Sequence, residues 1–150
     1  MRTYLVIMDE SAEARAALRF ASRRAARVDG ALQLLAIAAK QDFVAFGGVQ
    51  ATIEEEARDR AEVLAMGAAG SLIEDGGKSP QITVRVGNAN EVIREYLAEH
   101  PEVTALVLGA APDGSPGPLV AHFSAHAGDL PCPLFIVPGG LDDEELERMS

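Results

Sequence analysis

Five short strand-like segments alternate along the chain with longer segments of helical periodicity. Four of the five are mainly apolar, and residues 81–86 alternate polar and apolar side chains, as a half-exposed edge strand does. The longer segments place apolar residues three and four positions apart, the spacing of a helix that buries one face. This alternation predicts a single open, mostly parallel five-stranded sheet with helices on both faces, an α/β fold. The predicted strands are residues 4–8, 31–38, 81–86, 104–108 and 134–137.

Capping residues and a change of periodicity mark the helices. Ser11 precedes the first helix, as a side-chain N-cap does. Residues 40–52 show no sustained period and predict a loop or a short irregular helix, and a long helix begins at Ile53. A short fourth helix is predicted over 119–127. The chain reads as one domain over residues 1–150, with residues 141–150 as an acidic tail.

Composition and charge indicate the type of core and exclude one class of binding partner. The chain has 150 residues, is 48% hydrophobic and lacks Trp, which predicts an aliphatic core. A net charge of −10 repels phosphodiester backbones, so we expect no nucleic-acid binding. The densest basic stretch, Arg19 to Arg27, is typical of the solvated face of a helix.

Cysteine usage and the start of the chain favour a cytoplasmic protein. Cys132 has no second cysteine to pair with, and we interpret it as a small buried hydrophobic residue. The chain enters its first strand without a charged leader or cleavage site. No window approaches the roughly 18 apolar residues of a membrane span, so no membrane association is expected.

The loop that follows the fourth strand is the strongest candidate for a binding site. Residues 109–118 run from an apolar strand through a Gly/Pro loop into a helix, an arrangement that holds anions through backbone amides. The same pattern also occurs simply as a turn. Ligands of open α/β sheets bind where the winding reverses, which would bring Asp9, after the first strand, to face this loop. The alternative role of Asp9 is to cap the first helix.

These segments together resemble the universal stress protein family. The resemblance covers almost the whole chain and implies a Rossmann-like fold of the adenine nucleotide alpha hydrolase-like type. It rests on the opening strand with its Asp and capping Ser, the third strand and helix, the fourth strand, and the final strand: residues 6–18, 84–93, 104–109 and 130–137.

The resemblance implies a nucleotide site and a dimer. Members of the nucleotide-binding branch carry Gly, two residues, Gly, nine residues, then Gly-Ser or Gly-Thr; Gly109 can be the first glycine, but Pro112 takes the place of the second. The implied ligand is ATP or AMP with Mg²⁺, and the implied homodimer pairs through residues 134–137. The nucleotide-binding residues implied by the resemblance are Met8, Asp9, Ala36, Ala38 and Gly109. Gly114, Ser115 and Gly117 do not match the family motif, and we expect them to rebuild an anion-binding site from different positions.

Two functions remain open from the sequence. One is a dimeric, nucleotide-responsive stress protein. The other is a non-catalytic dimeric module of the same family that binds an unknown protein partner, favoured by the prolines of the loop, which remove amide donors. We expect no catalytic residues and at most slow ATP hydrolysis, because no Lys or Arg lies between Arg94 and Arg148. His122 and His126, four apart, are interpreted as surface histidines rather than zinc ligands.

Overall fold

The computed structural model describes residues 1–39 and 47–150, and for residues 47–52 it describes the backbone only. Within these ranges the strands are β1 Thr3–Met8, β2 Ala31–Ala39, β3 Gln81–Gly87, β4 Ala105–Ala110 and β5 Leu134–Pro138. The helices are α1 Ala12–Arg27, α2 Gly47–Glu74, α3 Ala89–Glu99, α4 Pro118–Ala125 and α5 Asp143–Met149, with a 3₁₀ turn at Ala127–Asp129.

The strands form one open sheet in the order β3-β2-β1-β4-β5, and every pair is parallel. The predicted fold class is therefore confirmed. The chain first winds outward from β1 to β3 and then crosses to β4 on the other side of β1. The winding consequently reverses between β1 and β4, the position at which open α/β sheets bind ligands.

An aliphatic core lies on each face of the sheet. Alternate residues of one strand point to opposite faces, so that Val6 packs under α1 and α2 while Leu5 packs under α3 and α4. Both side chains are fully buried. The core is mainly aliphatic, as the low aromatic content predicts. Among the largest fully buried side chains of the described residues, only Tyr96 and Phe123 are aromatic, and the others are Leu, Ile and Val.

The acidic tail differs from its prediction, because most of it forms helix α5. Asp142 accepts a hydrogen bond from the Glu145 N–H (2.9 Å), and the Glu145 carboxylate accepts one from the Asp142 N–H (3.3 Å), a capping box. Leu146 is 1% exposed in the core beside α1. The arginines of residues 19–27 are therefore only partly solvated, since three of them contact α5.

Two other helices also differ at their ends. Helix α2 begins at Gly47, so residues 47–52 of the predicted irregular stretch are helical. Residues 40–46 of that stretch lie outside the described residues. Helix α4 ends at Ala125, two residues earlier than predicted, and the 3₁₀ turn at Ala127–Asp129 follows it. Among the described helices, none combines the length and apolar character needed to cross a lipid bilayer.

Candidate functional site

A small crevice opens between the carboxyl ends of β1 and β4. Its volume is about 60 Å³, and Asp9, Gly109 and Gly117 all line it. The strand order therefore brings the aspartate and the glycine loop together, as the reversal of the winding predicts. The wall also includes Ser11, predicted only as a helix cap, and Pro116 of the predicted loop. The sequence analysis did not single out Glu13 and Leu119 for the site, because their positions in the wall depend on the fold.

Asp9 closes the turn from β1 into α1. Its Oδ1 accepts hydrogen bonds from the Ser11 N–H (2.8 Å) and from the Ser11 hydroxyl. Ser11 Oγ in turn accepts from the Ala14 N–H (3.2 Å) and so caps α1. The second carboxylate oxygen of Asp9 accepts no hydrogen bond from the described residues, and the side chain is exposed. The carboxylate thus supports the helix start and keeps one oxygen available to a ligand.

Gly109 is required by packing at the crevice wall. A β-carbon at this position would lie 1.9 Å from the carbonyl oxygen of Glu13, in the first turn of α1. Gly139 packs against the same turn of α1, since a β-carbon added there would lie 2.6 Å from the β-carbon of Glu13. These two glycines let β4 and β5 end directly against α1, which narrows the crevice.

The loop after β4 is closed by its own backbone. The Ala111 N–H donates to the Pro116 carbonyl oxygen (3.1 Å), so this amide is not available to a ligand. Gly117, at φ +105°, precedes α4 without a side-chain cap. The amides of Leu119 and Val120 lie in the first turn of α4 beside the crevice, where a helix leaves its N–H groups unpaired. The amide donors left at the crevice therefore include those at the start of α4.

The crevice is acidic. Asp9 and Glu13 line it, and no Lys or Arg is among its described lining residues. No Lys or Arg lies between Arg94 and Arg148, so the loop after β4 and helix α4 supply no positive side chain to balance these carboxylates. A polyphosphate would meet repulsion here without a compensating charge.

The remaining residues implied for nucleotide binding lie outside the crevice wall. Met8 and Ala36 are neighbours in the sheet and are buried, as is Ala38, and all three belong to the core beside α1. Gly114 and Ser115 are exposed at the tip of the loop. These five residues therefore do not line the crevice, because the three sheet residues pack into the core and the two loop residues are exposed to solvent.

The end of β2 extends past β1 near this edge. β1 pairs with β2 only as far as Met8 and Ala36, whereas β2 continues to Ala39 beside β3. Residues 37–39 of β2 thus extend past the paired end of β1, and β1 supplies no hydrogen-bond partner on that side.

The histidines and the cysteine of the sequence lie away from the crevice lining. The His122 and His126 rings are 4.7 Å apart, and the Arg94 guanidinium lies 3.4 Å from His122 Nε2. Partial burial, His126 and Arg94 lower the pKa of His122. Cys132 is half-buried rather than fully buried, and burial raises the pKa of its thiol. In the described part of the chain, no group of three or more His, Cys, Asp or Glu could hold a metal ion.

A polar network that the apolar pattern did not reveal lies near the opposite end of the sheet and runs from the buried Tyr96 and Gln33 to the exposed Glu102. The Tyr96 hydroxyl donates to Gln33 Oε1 (2.6 Å), and Gln33 Nε2 donates to Glu102 (3.3 Å). His100 Nδ1 lies 2.7 Å from the same carboxylate and lowers the pKa of Glu102, while burial raises the pKa of Tyr96. Gln33 is near the start of β2, so this network is structural rather than part of the crevice.

The all-parallel sheet, wound in both directions from β1, and the crevice at its switch point define an open α/β protein. The model of the family described as "Universal stress protein family" matches residues 1–138. The chain therefore belongs to the universal stress protein family.

Solved structures share this fold at low sequence identity. Universal stress protein UspA from Lactobacillus plantarum superposes with a TM-score of 0.64 at 19% identity, covering 91% of this chain and 97% of the other. An Arabidopsis thaliana family member with AMP bound gives 0.61 at 15%, covering 97% and 95%. A universal stress protein in complex with cAMP gives 0.54 at 17%, covering 91% and 96%. A search of curated proteins finds none that matches the sequence significantly.

Proposed function

We propose that this universal stress protein acts in the stress response as a cytoplasmic homodimer whose crevice binds an adenine mononucleotide of the AMP or cAMP class. The observation that supports this proposal best is the crevice itself, which places an exposed carboxylate opposite the first turn of α4. Its volume of about 60 Å³ suits one small group such as a phosphate, with the rest of the nucleotide lying along the sheet edge. Family members whose structures hold AMP and cAMP support the ligand class.

Each part of such a nucleotide has a chemically suitable neighbour. The amides of Leu119 and Val120 and the positive end of α4 suit a phosphate, and Gly117 adds no side chain that would obstruct it. The free oxygen of Asp9 suits a ribose hydroxyl. The backbone of residues 37–39, on the side not paired with β1, suits the edge of adenine.

The same features argue against ATP with Mg²⁺. A triphosphate needs several amide donors and at least one cation, whereas prolines remove three amides of the loop and the lining residues are acidic. A single phosphate bears less charge and requires fewer donors. Without a cation to stabilise a transferring phosphoryl group, we also expect no catalytic turnover.

Isothermal titration calorimetry with AMP, cAMP and ATP·Mg²⁺ tests this assignment. We expect AMP or cAMP to bind at micromolar to millimolar concentration and ATP·Mg²⁺ to bind at least tenfold more weakly. Gly117→Asp should abolish the signal, because it places a carboxylate at the phosphate position. Gly76→Asp adds the same charge at another glycine with a positive φ (+81°) and open space, so it carries a similar backbone strain, and it should bind as the wild type does. Absence of heat and of a thermal shift with all three nucleotides at millimolar concentration would refute the proposal.

A second candidate is a protein-interaction module that binds no nucleotide. It is favoured by the Ala111–Pro116 hydrogen bond, which closes the loop, and by the acidic crevice. In this case function depends on the dimer edge and on protein partners. A folded protein that binds none of the three nucleotides yet remains a dimer would support this alternative.

The homodimer is proposed to form along β5. β5 is at the edge of the sheet, and Ile136 is 43% exposed there beside a groove of about 460 Å³. An exposed apolar edge strand pairs readily with a second copy. Ile136→Lys should convert the dimer to a monomer in light scattering. Ile73→Lys, at an exposed apolar position on α2, is the matched control and should stay dimeric.

A further inference from the structure

Arginines spaced four apart on α1 form a basic stripe that α5 covers. Arg19 pairs with Asp143, and Arg23 Nε lies 3.0 Å from the Glu147 carboxylate. Arg27 donates to the carbonyl oxygens of Glu147 (2.7 Å) and Ser150 (2.5 Å), at the end of α5. Cations at the end of a helix interact favourably with its negative dipole. The stripe therefore contacts both the acidic side chains and the C-terminal carbonyls of α5.

Leu146 provides an apolar anchor in this contact. It is 1% exposed and belongs to the core cluster of the face covered by α1 and α2. Met149, the other large apolar residue of α5, is 49% exposed. The surface on α1 thus combines a basic stripe with a pocket for a leucine, the complement of an acidic helix with one buried leucine.

Apart from the buried Leu146, helix α5 is held by partly exposed ion pairs and by hydrogen bonds from Arg23 and Arg27. It has seven residues, too few for a helix to be stable by itself in water. Each ion pair that holds it has both side chains between 31% and 61% exposed, so the attraction is screened by salt. The chain is fixed up to Gly139 by the contact with Glu13, and α5 follows this point. The family match ends at residue 138, so the sheet and its crevice are defined without α5.

We propose that the surface of α1 beneath α5 is a binding site for an acidic amphipathic helix of a partner protein, and that α5 occupies it as an internal competitor. Opening of α5 exposes a locally basic surface on a chain whose net charge is −10. A nucleic acid would be repelled by the rest of this chain and has no group for the leucine pocket. A peptide with carboxylates around one leucine, like residues 142–147, satisfies both parts of the surface. This inference does not depend on nucleotide binding.

The test uses a fluorescent peptide of the sequence of residues 140–150 and the full chain. Asp143→Arg with Glu147→Arg reverses the acidic side chains of α5 and leaves α1 intact. We expect the peptide to bind this opened variant at least tenfold more tightly than the wild type in fluorescence anisotropy, and more weakly as NaCl rises. Glu55→Arg with Asp59→Arg is the matched control, because it makes the same change of charge at the same spacing on exposed positions of α2. It should behave as the wild type does.

Two further measurements test the site and the role of α5 separately. Adding Arg19→Gln and Arg23→Gln to the opened variant removes the basic charge without offering new partners to the arginines at positions 143 and 147, and it should abolish peptide binding; unchanged binding would overturn the site. Hydrogen exchange of the wild type should show the α5 amides opening at least tenfold faster than those in the middle of α1. Equal protection would show that α5 is not exchangeable and would overturn its role as a competitor, even if the opened variant failed to fold.

Discussion

The carbonyl oxygen of Glu13 faces the α-carbon of Gly109 so closely that a β-carbon there would approach it to 1.9 Å. This contact joins the first turn of α1 to the end of β4. The crevice lies between the same two elements, so the contact also sets its width. Gly109 therefore fixes the shape of the site through packing, whatever the ligand is.

Gly109→Ala should destabilise the fold. The new methyl group meets backbone rather than a flexible side chain, so α1 or β4 must shift, at a cost of about 2–3 kcal/mol. Urea denaturation measures this loss. Gly67→Ala is the control, because that position lies inside α2 with open space around it, and it should gain about 0.5–1 kcal/mol. A loss at Gly109 below about 0.5 kcal/mol would show that the contact relaxes easily.

Ser11→Ala should cost more than the equivalent change at the other capped helix. Asn88 caps α3 through one hydrogen bond to the Glu91 N–H, and Asn88→Ala should lose about 1 kcal/mol. Ser11 caps α1 and also donates to Asp9, so its replacement should lose about 1–2 kcal/mol. Urea denaturation of both variants compares them. Equal losses would mean that the hydroxyl of Ser11 gains nothing from Asp9.

The sequence predicted the sheet because its signals are local. The strand at residues 4–8 is a continuous apolar run, and such runs separated by helical periods leave few arrangements. Helix α5 was not predicted, since its one buried residue, Leu146, creates no period. Its position depends on arginines more than 110 residues earlier in the chain, such as Arg27.

The sequence predicted where the candidate site lies but not the shape of its crevice. The meeting of Asp9 with the Gly109 loop follows from topology alone. The volume of the crevice depends on the contact with Glu13 and on the hydrogen bond between Ala111 and Pro116, which only the folded structure contains.

Tyr96→Phe should destabilise the fold without changing its shape. The substitution leaves Gln33 Oε1 buried without its 2.6 Å hydrogen bond, which costs about 1–3 kcal/mol. Tyr4→Phe is the control, because the Tyr4 hydroxyl has no hydrogen-bond partner among the described residues although its ring is buried. Chemical denaturation of both variants provides the comparison. Equal effects would show that Gln33 finds another donor.

Arg94→Gln should raise the pKa of His122 toward its ordinary value of 6.5. Partial burial, His126 and Arg94 lower this pKa, so the variant removes part of the shift. Because the folded-state pKa is depressed, the unfolded chain binds a proton first as the pH falls below about 7, and stability declines until the folded form is also protonated. The Arg94→Gln variant should therefore lose less folding stability than the wild type as the pH falls. NMR titration of the His122 ring and denaturation at pH 7 and 5 measure both effects, with Arg58→Gln on α2 as the control. An unchanged His122 pKa would mean that the Arg94 charge is fully screened by solvent.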